Sequence, residues 1–153
     1  MLYKTKEQKR EALIARLDKL TKQVFIEKNI VAVDGAYKLF EAHKSHRVEH
    51  FFIATLNSHH DVIDIHCLSK GTVNRTLINP RDIFKQALLD DATAIILCHN
   101  HPSGSIEPSD EDKALTRRIS QGAEILGLTI LDHIIIGKSN PSYFSFVQQG
   151  LAL

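Results

Sequence analysis

Thr93-Ala94-Ile95-Ile96-Leu97-Cys98 is a continuous apolar run with no polar alternation. Such a run suits a central strand covered on both faces. It therefore asks for other layers on either side of a sheet. Its carboxyl end is unusual. The run closes in His99-Asn100-His101, then Pro102-Ser103-Gly104 supplies a sharp turn, and a polar segment opens at Ser109.

The rest of the chain alternates in the same way. Glu49 to Leu56 and Val62 to Leu68 read as a hairpin around the polar turn Asn57-Ser58-His59-His60-Asp61. Gly71 to Leu77 reads as an extension or repeat of that pairing. Asn79-Pro80 opens a helix to about Leu89, with Pro80 where a missing N–H does no harm. A long helix is expected from Ser109 to about Leu126, stopped near Gly127. Thr129 to Ile136 is a second central strand candidate, and Ser142 to Val147 a last edge strand. Further upstream, Val24 to Val33 reads as a strand, Asp34 as an N-cap, and Ala36 to about Lys44 as a helix. The pattern is α/β with a mixed sheet.

Residues 4 to 22 are rich in Lys, Glu, Gln, Ala and Leu. Leu13, Leu17, Leu20 and Val24 recur at helical spacing. This reads as an N-terminal amphipathic helix (1–23) ahead of the main domain (24–153). Its stripe packs on that domain or on a second copy, giving a homo-oligomer.

The 153 residues suffice for one domain with a real core, and 43% hydrophobic with 24% charged residues is ordinary for a globular protein. A net charge of +1 gives no case for autonomous nucleic-acid binding. Cys67 and Cys98 form no CxxC pair and fit a reducing compartment. No apolar run approaches a membrane span, and the N-terminus lacks the apolar core of a signal peptide. The expectation is a cytoplasmic protein without membrane contact.

The chemistry lies after the central strand. In an extended segment, side chains two apart share a face, so His99 and His101 point the same way about 7 Å apart at Cα. Cys98 and Asn100 point the opposite way. Asp112 falls on the first turn of the next helix and can reach back to the same point. Two imidazoles and a carboxylate leave a fourth position open, the arrangement of a catalytic rather than a structural zinc site. Such an ion brings the pKa of water toward neutrality. Taken alone, Ser109-x-x-Asp112 reads as a helix cap. Capping and chemistry are compatible, since Ser109 can cap while its hydroxyl faces the site.

The string His99-x-His101-x7-Ser109-x2-Asp112 resembles the JAMM motif of MPN-domain metalloproteases. His99-Asn100-His101-Pro102-Ser103-Gly104, Pro108-Ser109 and Leu131-Asp132-His133-Ile134-Ile135-Ile136-Gly137 resemble its bacterial RadC branch, over roughly residue 24 to the C-terminus. The resemblance departs at the N-terminus, where RadC-like proteins commonly carry a helix-hairpin-helix region and this chain shows one short helix. It implies a three-layer α/β/α MPN (cytidine deaminase-like) fold and a Zn2+ centre on His99, His101 and Asp112. It implies a peptidase or isopeptidase acting on a peptide or protein substrate.

It also implies an upstream glutamate as general base. Glu49, just before the strand at Phe51, fits best by position; without the motif it reads as a solvated strand-entry residue. By resemblance Ser109 steadies the oxyanion. The alternative carried by the same resemblance is a non-catalytic or DNA-repair-associated partner protein, with nucleic acid as a family-level suggestion.

Other groups read more plainly. His133 is a residue behind the site or a satisfied core histidine, the latter favoured. His59 and His60 sit in an exposed turn, and Arg117-Arg118 form a solvated face. Zinc deaminases need HxE and PCxxC, which are missing, and no HExxH string occurs.

Overall fold

The computed structural model describes residues 33–44, 47–71, 78–138 and 142–153. The expected helix over 4–22, most of the strand expected over 24–33 and nearly all of the Gly71–Leu77 extension lie outside them. In chain order the elements are α1 (Val33–Phe40) with a 3-10 turn (Glu41–His43), β1 (His50–Leu56), β2 (Val62–Lys70) and α2 (Pro80–Leu89). Next come β3 (Ala94–Asn100), α3 (Asp110–Leu126), β4 (Thr129–Ile136) and β5 (Tyr143–Ser145).

The five-stranded sheet has the order β2-β1-β3-β4-β5. β3 pairs antiparallel with β1 and parallel with β4, so the sheet is mixed. Every residue of β1 and β3 is buried. That is why the β3 run is continuous rather than alternating: both faces are covered.

Strand parity sorts the core into two layers. Phe52, Ala54, Leu56, Ala94, Ile96 and Cys98 pack with Ala36, Tyr37 and Phe40 of α1. Phe51, Ile53, Ile95 and Leu97 face the other way, onto Ile83 and Ala87 of α2 and Ile119 and Ala123 of α3. The helical partners recur at three- and four-residue spacing, as one-sided burial requires. The result is three-layered α/β/α.

Two expectations need adjusting. Val33 and Asp34 are already helical, so Asp34 lies inside α1 and is not its N-cap, and Val33 is not in a strand. The ladder of β3 runs on through His99 and Asn100, so the loop starts two residues later than the apolar run suggests. Elsewhere the local chemistry acts as read. Asn79 caps α2 ahead of Pro80, and Gly127 ends α3 in the left-handed region at φ 69. No described helix is long and apolar enough to cross a membrane.

The connection from β3 to α3 is tied down by two glycines. Gly104 turns at φ +87, and its N–H reaches the His101 carbonyl at 2.9 Å. Gly137, just past β4, lies under this loop. A Cβ there would press on the Ser142 hydroxyl and come within 2.8 Å of Ile106 Cγ2 and 3.1 Å of the Gly104 carbonyl. Gly137→Ala is therefore expected to cost about 1–3 kcal/mol by overpacking. A lower urea midpoint at unchanged slope checks this; an unchanged midpoint means the loop steps aside.

Candidate metal centre

The site forms at the carboxyl end of the parallel pair β3/β4, where α3 returns toward the sheet. His99 sits in the ladder between Phe51 and Ile135 and is 1% exposed. His101 lies just beyond the strand. Its Nδ1 is 2.9 Å from the Ser105 carbonyl, which can only accept. Nδ1 therefore carries the hydrogen, and in the neutral ring Nε2 presents a lone pair to the site. Asp112 comes from the first turn of α3, where Ser109 and Asp112 form a reciprocal capping box. The Ser109 N–H and O–H donate to Asp112 Oδ2 at 2.8 and 2.7 Å, and Ser109 Oγ accepts the Asp112 N–H at 3.1 Å. An acidic first turn also suits the positive end of the helix.

The three side chains converge. His99 Nε2 and His101 Nε2 are 2.9 Å apart. His99 Nε2 lies 3.4 Å from Asp112 Oδ1, and His101 Nε2 3.5 Å from Asp112 Oδ2. A tetrahedral ion with bonds of about 2.0–2.1 Å separates its ligand atoms by about 3.3–3.4 Å. The two imidazole nitrogens must therefore move apart by a few tenths of an ångström to share one ion, while each already meets one of the two Asp112 oxygens near that separation. Two imidazoles and a carboxylate are also the donor chemistry that suits zinc. Strand parity aligns the two histidines; the capping box supplies the aspartate.

Glu49 precedes β1 by one residue and shares strand parity with Phe51, the register partner of His99. Its charge reaches His101, where it contributes to holding the proton on that ring. Asn100, fully buried on the opposite face, fixes this segment. Its Oδ1 accepts the His50 N–H at 2.8 Å and its Nδ2 donates to the Val48 carbonyl at 3.1 Å. Those groups belong to the two peptide bonds flanking Glu49, so one side chain pins both. Strand parity alone places Asn100 away from the ligands but gives it no role.

His133 is both a core histidine and a partner of the site. It is 0% exposed, and its Nε2 lies 2.8 Å from His99 Nδ1. Its Nδ1 lies 2.6 Å from Thr116 Oγ1, whose hydroxyl reaches the Asp112 carbonyl at 2.7 Å. Thr116 was not anticipated, although its four-residue spacing from Asp112 marks the same helix face. His59, His60, Arg117 and Arg118 are exposed, as expected.

Electrostatics follow the geometry. Burial works against ionisation of Asp112, but hydrogen bonding, led by that from His101, outweighs it and holds its pKa well below the usual carboxylate range. His101 is raised by its hydrogen bond to Asp112, against its own burial, with further help from the Asp112 charge, the Ser105 carbonyl and Glu49. Burial, reinforced by His99, drives His133 well below the ordinary histidine value.

A raised pKa means that His101 holds its proton past the pH at which a free imidazole has lost it. That proton stabilises the metal-free fold fully below about pH 6.5, and the contribution is lost as pH rises through the raised value. A metal ion needs the same nitrogen and must displace it. Zinc binding at pH 7 is therefore expected to release protons, with affinity climbing as pH rises. Calorimetry in buffers of different ionisation enthalpy checks this; heats independent of buffer contradict it.

Fold and site together define an α/β/α domain with two histidines and an aspartate that could hold a metal ion gathered at the end of its central strand. The family model of the RadC-like JAB domain matches residues 30–151, and the chain belongs to that family. A UPF0758 protein of Symbiobacterium thermophilum is 44% identical over 104 residues, covering 68% of this chain and 44% of that protein. A UPF0758 protein of Pelodictyon phaeoclathratiforme is 46% identical over 103 residues, covering 67% and 46%. One from Chlorobium luteolum is 42% identical over 124 residues, covering 78% and 54%. The chain spans about half the length of the curated relatives it matches.

Proposed function

We propose that this domain is a zinc-dependent hydrolase of peptide or isopeptide bonds. His99, His101 and Asp112 would hold the ion. The observation that carries the reading is the convergence of His99, His101 and Asp112, whose ligand atoms lie within 4.8 Å of one another, with no fourth His, Cys, Asp or Glu among the described residues completing the set. A closed structural site would use four protein ligands. When bound, zinc supplies Lewis acidity of the kind that makes water nucleophilic near neutral pH.

The chain's own residues supply the rest. Glu49 takes the proton of the attacking water and delivers it to the leaving amine nitrogen. Asn100 holds the backbone on both sides of Glu49, so the carboxylate is aimed by a buried element rather than by a free loop. The Ser109 hydroxyl, now directed at Asp112, is the nearby donor for a developing oxyanion once it turns outward. The competing reading, a non-catalytic or DNA-associated partner protein, draws on the resemblance alone. An intact donor set with a clamped glutamate beside it speaks for chemistry.

The test is zinc content by elemental analysis, with hydrolysis of a fluorogenic peptide library and of lysine-isopeptide conjugates before and after chelation. Cleavage lost on chelation and restored by zinc supports the proposal. A folded, zinc-loaded protein that cleaves neither set, yet binds DNA with a steep salt dependence, would favour the alternative.

A further inference from the structure

We propose that His133 and Thr116 are positioning residues that set the tautomer of His99 and so decide which of its ring nitrogens is offered to a metal ion. The inference rests on the reading of His99 as a ligand. It starts from a backbone carbonyl. The Asp112 carbonyl can only accept, so the Thr116 hydroxyl 2.7 Å away spends its hydrogen there. Thr116 Oγ1 is then an acceptor, and His133 Nδ1, at 2.6 Å, must carry a hydrogen. Both nitrogens of His133 meet neutral groups, a hydroxyl and an imidazole, and the ring is fully buried. A buried charge without a hydrogen-bonded counter-ion is costly, so the ring is neutral and its Nε2 holds a lone pair. His99 Nδ1, 2.8 Å from that lone pair, must donate. In the neutral ring His99 Nε2 is then bare, facing His101 and Asp112.

Four groups on three elements thus form a one-way chain. It begins at the main chain of one candidate ligand and ends at the side chain of another. Thr116, His133 and His99 are 0%, 0% and 1% exposed, so bulk water has little access to reverse it. The reversed chain would put a hydrogen on His99 Nε2, where a metal ion cannot bind. The acceptor behind His99 is also a neutral imidazole rather than a carboxylate. It orients His99 without adding negative charge to the ligand set.

Thr116→Val is the decisive substitution. It is nearly isosteric, removes only the hydroxyl, and touches no candidate ligand atom. His133 Nδ1 then faces a methyl group and no longer has a reason to keep its hydrogen. Zinc affinity, measured by competition with a chromophoric chelator, is expected to fall roughly 10- to 100-fold, the range for partners that orient a ligand. Thr116→Ser and His133→Gln restore a hydroxyl or an amide of matching polarity and are expected to recover most of the affinity. The tetrahedral visible spectrum of the Co2+ protein should weaken in Thr116→Val and return in Thr116→Ser.

Nitrogen-15 spectra of the histidine rings in the wild-type metal-free protein give a second, metal-independent reading, with His133 protonated on Nδ1. Equal zinc affinity in Thr116→Val, or a His133 protonated on Nε2, overturns the relay. A wild-type protein that binds no zinc overturns the metal-centre reading itself, so the two failures are distinguishable.

Discussion

Glu49→Gln is expected to bind zinc as the wild type does and to lose about 100- to 10,000-fold in kcat, the contribution of a positioned general base. Glu49 is not one of the three residues whose ligand atoms converge, so its removal leaves the donor set whole. Gln has nearly the same shape. The Asn100 clamp grips the main chain at Val48 and His50, not the Glu49 side chain, so the segment stays in place. What disappears is the ability to accept a proton. A base that acts only in the transition state shows its loss in kcat and in kcat/KM equally. Zinc stoichiometry and steady-state kinetics on one preparation separate the outcomes. Normal turnover removes Glu49 from the mechanism. Lost zinc would make it a ligand instead.

The convergence of His99, His101 and Asp112 was legible in the sequence because each step is local. A continuous apolar run means a doubly covered strand, parity aligns His99 with His101, and a capping pattern fixes the helix start that puts Asp112 in its first turn. The relay through His133 was not legible, because it depends on register. Ile95 pairs with Ile130, but Ile96 pairs with Asp132, so Leu131 is an extra residue in β4. Ile130 faces α2 and α3, whereas Ile134 and Ile136 face α1. The bulge reverses the parity of everything after it. Without it His133 would point into the α1 layer, away from His99. Nothing in Leu131-Asp132-His133 announces that extra residue. Asp34 misled for a simpler reason: capping residues also occur inside a first helical turn, and propensity alone does not separate the two.

Asp112→Asn is expected to lower zinc affinity at least about 100-fold, the upper end of what partners behind a ligand produce. The carboxylate is ionised far below neutral pH, so the substitution removes a full charge from the donor set. The amide also turns N–H groups toward the histidines. Stability of the metal-free protein should change in a way that capping alone does not predict. An amide oxygen can still accept the Ser109 N–H, so much of the cap survives.

The pairing with His101 does not, and its pH window has two edges. Asp112, with its lowered pKa, contributes stability above the unfolded carboxylate value near 3.9, lost as pH falls through the lower folded value. His101, with its raised pKa, contributes below about 6.5, lost as pH rises through the higher folded value. The gap in urea midpoint between wild type and Asp112→Asn is thus expected to be widest in mildly acidic solution and to narrow on both sides. Ser109→Ala provides the contrast. It removes the capping hydroxyl at about 0.5–2 kcal/mol, keeps the carboxylate, and should keep zinc. If Asp112→Asn binds zinc within tenfold of wild type, or its stability gap is flat with pH, Asp112 is a cap and no more.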